Sequence, residues 1–256
     1  YTNEQIKQYE ILSQTLLKHD KTVDKNLKQT DETIIMNQLQ TCIKYHDWRY
    51  YVLAQPIIAD TDYDYLFDYL QSLEITFPQL LQADSPTQRV AQALSNDFTT
   101  VEHLTPMLSL AKAYTYESLS DWDETVKKLT EETQVKYIVE PKFDGSSIAV
   151  VYENNLMTRA ATRGNGNSGE QITTNVKTIP TIPLSAMFNK FGIYKAEVRG
   201  EVLIHKERFE AINKLRDEND DKLLANSRNA AAGALRLKDA NLVGERKLEA
   251  FMYQLG

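Results

Sequence analysis

The 256-residue sequence predicts an α+β fold, with a small helical N-terminal domain followed by a domain built on an antiparallel sheet. Three observations predict it. Up to about Leu81, apolar residues recur at helical spacing. After Thr105, short runs rich in β-branched and aromatic residues appear, two of them separated only by Glu153-Asn154-Asn155. These runs do not alternate strictly with helices as a doubly wound parallel sheet requires. The length suits two domains better than one, and the division falls at residues 1–100 and 101–256.

From Glu4 to about Leu39 there is no Pro or Gly, and Ile6, Tyr9, Leu12, Leu16 and Leu17 mark two helices joined near Lys18 to Asp24. Helices continue from about Asp31 to Leu81, interrupted at Ala54-Gln55-Pro56, where the proline removes an amide donor and restricts its predecessor. Asp60 or Thr61 is expected to cap a helix beginning at Asp62, with Tyr63, Leu66, Phe67 and Leu70 on one face and Phe77-Pro78 ending it. Gln82 to Thr100, rich in Ser, Thr, Asp, Asn and Gln, reads as a linker. Tyr137 to Glu140, Ser147 to Tyr152, Leu156 to Arg163 and Lys195 to Ile204 read as strands, and His205 to Asn219 and Ala225 to Leu237 as helices.

Composition removes several function classes. No apolar run approaches the roughly 18 residues that span a membrane, and no signal peptide opens the chain. The single cysteine, Cys42, cannot form an internal disulfide or a multi-cysteine metal site; it reads as a small buried hydrophobe, and a cytoplasmic setting is expected. His19, His46, His103 and His205 are scattered, so no zinc site is assigned. A net charge of −7 argues against holding nucleic acid by bulk field alone.

The sharpest chemical signal is Glu140-Pro141-Lys142-Phe143-Asp144-Gly145. In an extended segment, alternation puts Glu140, Lys142 and Asp144 on one face. Taken alone, such a triplet is more often a solvated charged face than a catalytic one. Thr162-Arg163-Gly164-Asn165-Gly166 and Arg199-Gly200-Glu201-Val202 add charged strand ends beside glycines, where a ligand can approach the backbone. Together the three segments would form one polar pocket.

Lys142-Phe143-Asp144-Gly145 resembles the Lys-x-Asp-Gly motif of the covalent nucleotidyltransferases. The wider set resembles the NAD-dependent DNA ligases in particular: Glu140 to Gly145, Thr162 to Gly166, Val198 to Val202, and Asn226-Ser227-Arg228-Asn229-Ala230-Ala231-Ala232-Gly233. Tyr50-Tyr51, Pro56, Asp60, Tyr63 and Asp64 resemble that family's small helical domain, and Ser85-Pro86-Thr87, Arg89-Val90 and Pro106 to Leu110 also fit. The resemblance covers about Thr33 to Gly256.

The resemblance implies an antiparallel nucleotidyltransferase (ATP-grasp-like) domain, truncated at its C-terminus before the family's later lysine-bearing strands. It implies that Lys142 attacks the α-phosphate of NAD, forming lysyl-AMP and releasing nicotinamide mononucleotide, with AMP passing to the 5′-phosphate of nicked DNA in a complete enzyme. Lysine suits this role because its amine can be made neutral more readily than a guanidinium. Tyr50, Tyr51, Asp60, Tyr63 and Asp64 are assigned to the nicotinamide half, whose pyridinium is attracted to aromatic faces and carboxylates.

Ser109 and Leu110 are assigned to the adenosine side, Glu140 and Glu201 to adenine or ribose donors, and Arg163 to phosphate or ribose. Arg228 and Arg236, eight residues apart, are candidates for phosphate or DNA contact, a solvated helix face being the alternative. Asp144 could orient Lys142, hold a divalent ion or pair with a cation. Mg²⁺ is implied, without assigned ligands. Two departures touch local detail: Ala111-Lys112-Ala113-Tyr114 replaces a sequence of the Asp-Asn-Ala-Phe kind, and Ala59 replaces a frequent proline. A silent NAD-binding module and an ATP-dependent relative are the competing readings.

Overall fold

The computed structural model describes residues 1–18, 29–53, 55–89 and 98–256. His19, most of the junction between the first two helices, Ala54, Val90 and the centre of the expected linker lie outside the described residues.

Helices make up most of the described N-terminal residues. Helix α1 (Asn3–Leu16) opens on a capping box in which Thr2 and Gln5 satisfy each other's backbone amides. Helix α2 (Gln29–Asp47) packs on α3 (Asp60–Thr76). Met36, Leu39 and Ile43 follow the helical repeat, and they bury against Leu16, Cys42, Leu66, Tyr69, Leu70 and Leu73. Burial raises the Cys42 thiol pKa to about 11, as suits an inert core residue.

Two expectations fail here. Helix α3 starts at Asp60 behind an extended Ala59 with no side-chain cap, so Asp60 and Asp62 serve the positive helix end from within the first turn. The start of the expected linker is packed: Ser85, Pro86 and Thr87 are buried. Both hydroxyls donate to the buried carboxylate of Glu74, Ser85 at 2.6 Å.

The C-terminal region centres on a four-stranded antiparallel sheet in the order β3-β2-β5-β6. Strands β2 (Ser146–Glu153) and β3 (Leu156–Thr162) form the expected hairpin, with Asn154 and Asn155 at positive φ as a tight primed turn demands. Strand β5 (Lys195–Leu203) pairs along the whole of β2, and β6 (Glu249–Leu255) closes the far edge. Strands β1 (Thr100–Glu102) and β4 (Ser168–Glu170) make a separate pair.

Period-two alternation gives the sheet two unlike faces. Ile148, Val150 and Val202 lie in an apolar core with Ala230, Ala231, Ala234 and Leu235 of α7 (Ser227–Leu235). On the other face Ser147, Ala149 and Val151 stand opposite Glu201, Arg199 and Glu197. Helices α4 (Tyr116–Thr130), α5 (Thr173–Lys177), α6 (Lys206–Glu218) and α8 (Ala240–Glu245) complete the region.

The expected strand at Tyr137 to Glu140 does not form. The segment is unpaired coil, with Ile138 and Val139 88% and 95% exposed. β-branched residues favour strands because they fill a pleated, half-buried surface, and no described strand offers these two such a surface.

Candidate active site

Lys142 stands exposed on the loop that enters β2, and the residues after it are fixed from several sides. The Gly145 amide donates to Glu201 Oε1 at 3.1 Å, and the Ser147 hydroxyl donates to Glu201 Oε2 at 2.6 Å. Phe143 stacks on Phe251 of β6, with ring centroids 4.3 Å apart and planes 22° apart. Such a pair contributes about 0.5–1.5 kcal/mol beyond its buried area. Arg228 Nη1 meets Asp144 Oδ1 at 3.3 Å. A Cβ on Gly145 would collide with the Val202 carbonyl oxygen, so the close approach of loop to strand requires glycine there.

Glu201 is therefore a brace, and it does not line the cavity beside the loop. Both its oxygens serve the loop after Lys142, and it is almost wholly buried. Arg199, two residues back on the same face, pairs with Glu197 at 2.9 Å and donates to the carbonyls of Pro106 at 3.0 Å and Thr105. Glu197 in turn accepts the Leu104 amide. These bonds hold the segment leading to Met107, whose amide donates to the Gly166 carbonyl at 2.7 Å. Ser109 and Leu110 follow immediately and are exposed.

Arg163 begins the turn after β3, and its amide donates to the Ser147 carbonyl. Gly164 and Gly166 in that turn have φ of 54° and 95°, and a Cβ on Gly164 would collide with the Ser168 carbonyl. A cavity of about 550 Å³ opens beside it, lined by Gly145, Ser147, Arg163, Glu170, Arg228 and Arg236 among others. Arg228 lies in the first turn of α7, which Asn226 caps by accepting the Asn229 amide at 2.7 Å. Arg236 is the residue that caps the end of α7, not a residue within it, and it pairs with Glu170 through contacts of 2.5 and 2.7 Å. Three arginines thus face one cavity, two of them held by a carboxylate.

The structure brings Arg163, Arg228 and Arg236 together around the end of the lysine loop. It does not bring the tyrosines to them. Tyr50 and Tyr51 lie on a five-residue π-turn, Trp48–Val52, where continuous helix was expected; their rings are 4.9 Å apart, and both are exposed. Asp60 and Asp64 are exposed on α3, and the Tyr63 hydroxyl donates to Asp47 Oδ1 at 2.7 Å. Burial, with Asp47 beside it, pushes the Tyr63 pKa well up, and burial likewise raises that of Asp47. None of these five residues lines the 550 Å³ cavity.

Sequence reading missed Tyr253. The pairing of β5 with β6 matches Arg199 to Gln254 and Gly200 to Met252, which leaves Tyr253 as the extra residue of a bulge. The ring is half exposed, and burial together with Glu201 raises its pKa. Phe251 and Tyr253, two residues apart as on one face of a strand, were the signal available for it.

Residues 95–256 match the NAD-dependent DNA ligase adenylation domain, and residues 29–91 match the DNA ligase-like N-terminal NAD⁺-binding domain. Among similar curated proteins, the DNA ligases of Sulfurihydrogenibium sp. and Aquifex aeolicus are each 49% identical over 255 residues. Both matches take in 100% of this chain, and they cover 36% and 35% of the relatives. The DNA ligase of Persephonella marina is 51% identical over 225 residues, 88% of this chain and 32% of its own length. The chain belongs to the NAD-dependent DNA ligase family and spans about a third of the length of these relatives. Among the described residues, no helix is long and apolar enough to cross a membrane.

Proposed function

We propose that this chain carries the self-adenylation step of an NAD-dependent DNA ligase, with Lys142 as nucleophile. The observation that carries the reading is the fixed loop after Lys142, pinned by Glu201 and Phe251 beside a cavity faced by three arginines. Lys142 Nζ, as the free amine, attacks the α-phosphorus of NAD. A P–N bond forms, the P–O bond to nicotinamide mononucleotide breaks, and the proton leaves the amine. Arg163 stabilises charge on the phosphate oxygens. Glu140, Ser109 and Leu110 border the adenosine, Tyr253 offers its ring to the base, and Glu201 keeps the loop in register.

Tyr50, Tyr51, Asp60, Tyr63 and Asp64 recognise the nicotinamide half, in a domain comprising residues 1–100, while residues 101–256 form the adenylation domain. In the longer protein the AMP passes to the 5′-phosphate of nicked duplex DNA, and Arg228 and Arg236 contact phosphate. Their carboxylate partners suit that role. An ion pair this exposed contributes about 0–1 kcal/mol, so a phosphate can displace Asp144 or Glu170 at small cost. A cytoplasmic setting accords with the single cysteine.

Mg²⁺ fits this site in one way only. Among the described residues no cluster of three or more His, Cys, Asp or Glu side chains could cage a metal. Glu170 at the cavity, and Asp144 paired with the cavity residue Arg228, are suited to an ion carried mainly by substrate phosphates. Bound there, it would neutralise phosphate charge.

The reading is tested by supplying NAD or ATP labelled in the adenylate, with Mg²⁺, to this chain and to a longer form continuing as its relatives do. Label transfer from NAD alone, with one nicotinamide mononucleotide released per AMP bound, is expected. Transfer from ATP alone would assign the chain to the ATP-dependent class. Saturable NAD binding without transfer in the longer form would make it a silent binder.

A further inference from the structure

Helix α1 precedes the region matched by the N-terminal NAD⁺-binding domain, residues 29–91, yet it is built into that region's core. Leu16 is buried against Met36 and Leu39, and the Ser13 hydroxyl meets His46 Nε2 at 2.8 Å in the interior. At the other end of α1 the rings of Tyr1, Tyr9, Tyr45 and Trp48 form one cluster. Tyr1 lies 5.6 Å from Tyr9, 5.5 Å from Tyr45 and 4.9 Å from Trp48.

Trp48 is the first residue of the π-turn that presents Tyr50 and Tyr51. A second tie runs through hydrogen bonds. The Tyr45 hydroxyl donates to Glu10 Oε1 of α1 at 3.3 Å and accepts from Arg49 Nη1 at 3.4 Å. Arg49 Nε donates to the Gln55 carbonyl at 2.9 Å, and the Gln55 amide donates back to the Arg49 carbonyl at 2.9 Å, which closes the far side of the turn. A π-turn is a rare local conformation that needs support from its surroundings. Here Tyr1 covers its first residue, and Glu10 sits at the end of the chain of bonds that closes it.

We infer that α1 is a positioning element for the nicotinamide half of the substrate, setting the π-turn so that the exposed Tyr50 and Tyr51 rings stand where a pyridinium nucleotide can meet them. The inference rests on the reading of Tyr50 and Tyr51 given above. The DNA ligases of Sulfurihydrogenibium sp. and Aquifex aeolicus match this chain along its whole length, so they share a segment in the place of α1. Nothing in α1 borders the 550 Å³ cavity, so its influence should be confined to one half of the dinucleotide.

The test is calorimetric titration of nicotinamide mononucleotide, and separately of AMP, into the parent chain, the double variant Tyr1→Ala with Tyr9→Ala, and the double variant with Phe at both positions. The alanine pair is expected to bind nicotinamide mononucleotide about tenfold more weakly and AMP within twofold of the parent. The phenylalanine pair, which keeps the ring contacts, should bind both as the parent does. Should the alanine pair lose its helical circular dichroism, Glu10→Gln, which leaves the rings in place, is expected to weaken nicotinamide mononucleotide about threefold. A lower thermal midpoint with unchanged affinity for nicotinamide mononucleotide would reduce α1 to a merely structural helix and overturn the inference while leaving the proposed function standing. No binding of nicotinamide mononucleotide by the parent would overturn the assignment of Tyr50 and Tyr51, and the inference with it.

Discussion

In the sheet region the loop that follows Lys142 is tied down by Glu201, Phe251 and Arg228, whereas in the helical region Tyr50 and Tyr51 stand exposed on a short π-turn with their rings 4.9 Å apart. The first arrangement is preorganised: its hydrogen bonds exist before any ligand arrives, as a group that must meet a phosphorus in line requires. The second, on the proposed reading, is a recognition surface carried as a unit. The two regions are joined on the far flank of the sheet region, where Asp84 accepts from Ser185 at 2.6 Å and Arg89 Nη1 donates to the carbonyls of Lys177, Ile179 and Ile182 at 3.1–3.3 Å. On the proposed reading, engaging both halves of one dinucleotide calls for the helical region to move as a body, a hinge motion of ordinary kind.

Breaking the preorganised side should have the larger effects. Glu201→Ala removes the acceptor of the Gly145 amide and the Ser147 hydroxyl, and it is expected to slow AMP transfer about hundredfold and to destabilise the fold by roughly 2 kcal/mol. Single-turnover labelling and chemical denaturation read the two effects. Equal rates in parent and variant would show that the brace has no part in the chemistry.

Arg236→Ala should separate function from stability. The Arg236–Glu170 pair is half exposed, so its loss should cost less than about 1 kcal/mol, while sealing of nicked DNA by the longer form should fall about tenfold or more. A large loss of stability with sealing intact would make the pair structural.

On the helical side, Asp84→Ala removes a carboxylate that Lys44 at 2.7 Å and Ser185 share across the junction. If that contact holds the helical region in its present place, scattering profiles with and without NAD should differ more in the variant than in the parent. Identical profiles in all four samples would argue against movement of the helical region.

A pH dependence of stability, with no expected effect on AMP transfer, comes last. Burial, reinforced by Arg49, lowers the His46 pKa from 6.5 to about 4, so the folded chain keeps this imidazole neutral while the unfolded chain binds the proton. Stability from this group is fully present above pH 6.5 and is lost as pH falls toward about 4, by an amount on the order of 3 kcal/mol. Denaturation midpoints of the parent and His46→Gln should converge through that window. A constant gap from pH 7 to pH 4 would contradict it.

Much of this was legible in the sequence, for reasons that differ by element. The β2–β3 hairpin could be read because two asparagines accept the positive φ of its turn, and α6 because its apolar repeat is uninterrupted. Strand β6 escaped because an edge strand half exposed to water lacks a clean alternation, and with it escaped Tyr253, whose place in a bulge only pairing with β5 reveals. Tyr137 to Glu140 misled because strand propensity reports a surface to pack against, which the described residues do not supply. Helix α4 hid behind a capping box of Thr115 with Ser118, in place of the more telling Glu or Gln. The charges of β5 were visible as residues, but their division of labour was not. Glu201 holds the lysine loop and Arg199 holds Thr105 and Pro106, and both roles depend on contacts more than fifty residues away in the chain.

The most direct test of the central claim is the intact mass of the chain and of its Lys142→Ala variant after incubation with NAD and Mg²⁺, in this form and in the longer one. A gain of one AMP by the parent and none by the variant is the predicted result, with the two chains melting alike because Lys142 is exposed. An adduct on the variant, or no adduct on the parent in either form, would contradict the assignment of Lys142 as the nucleophile.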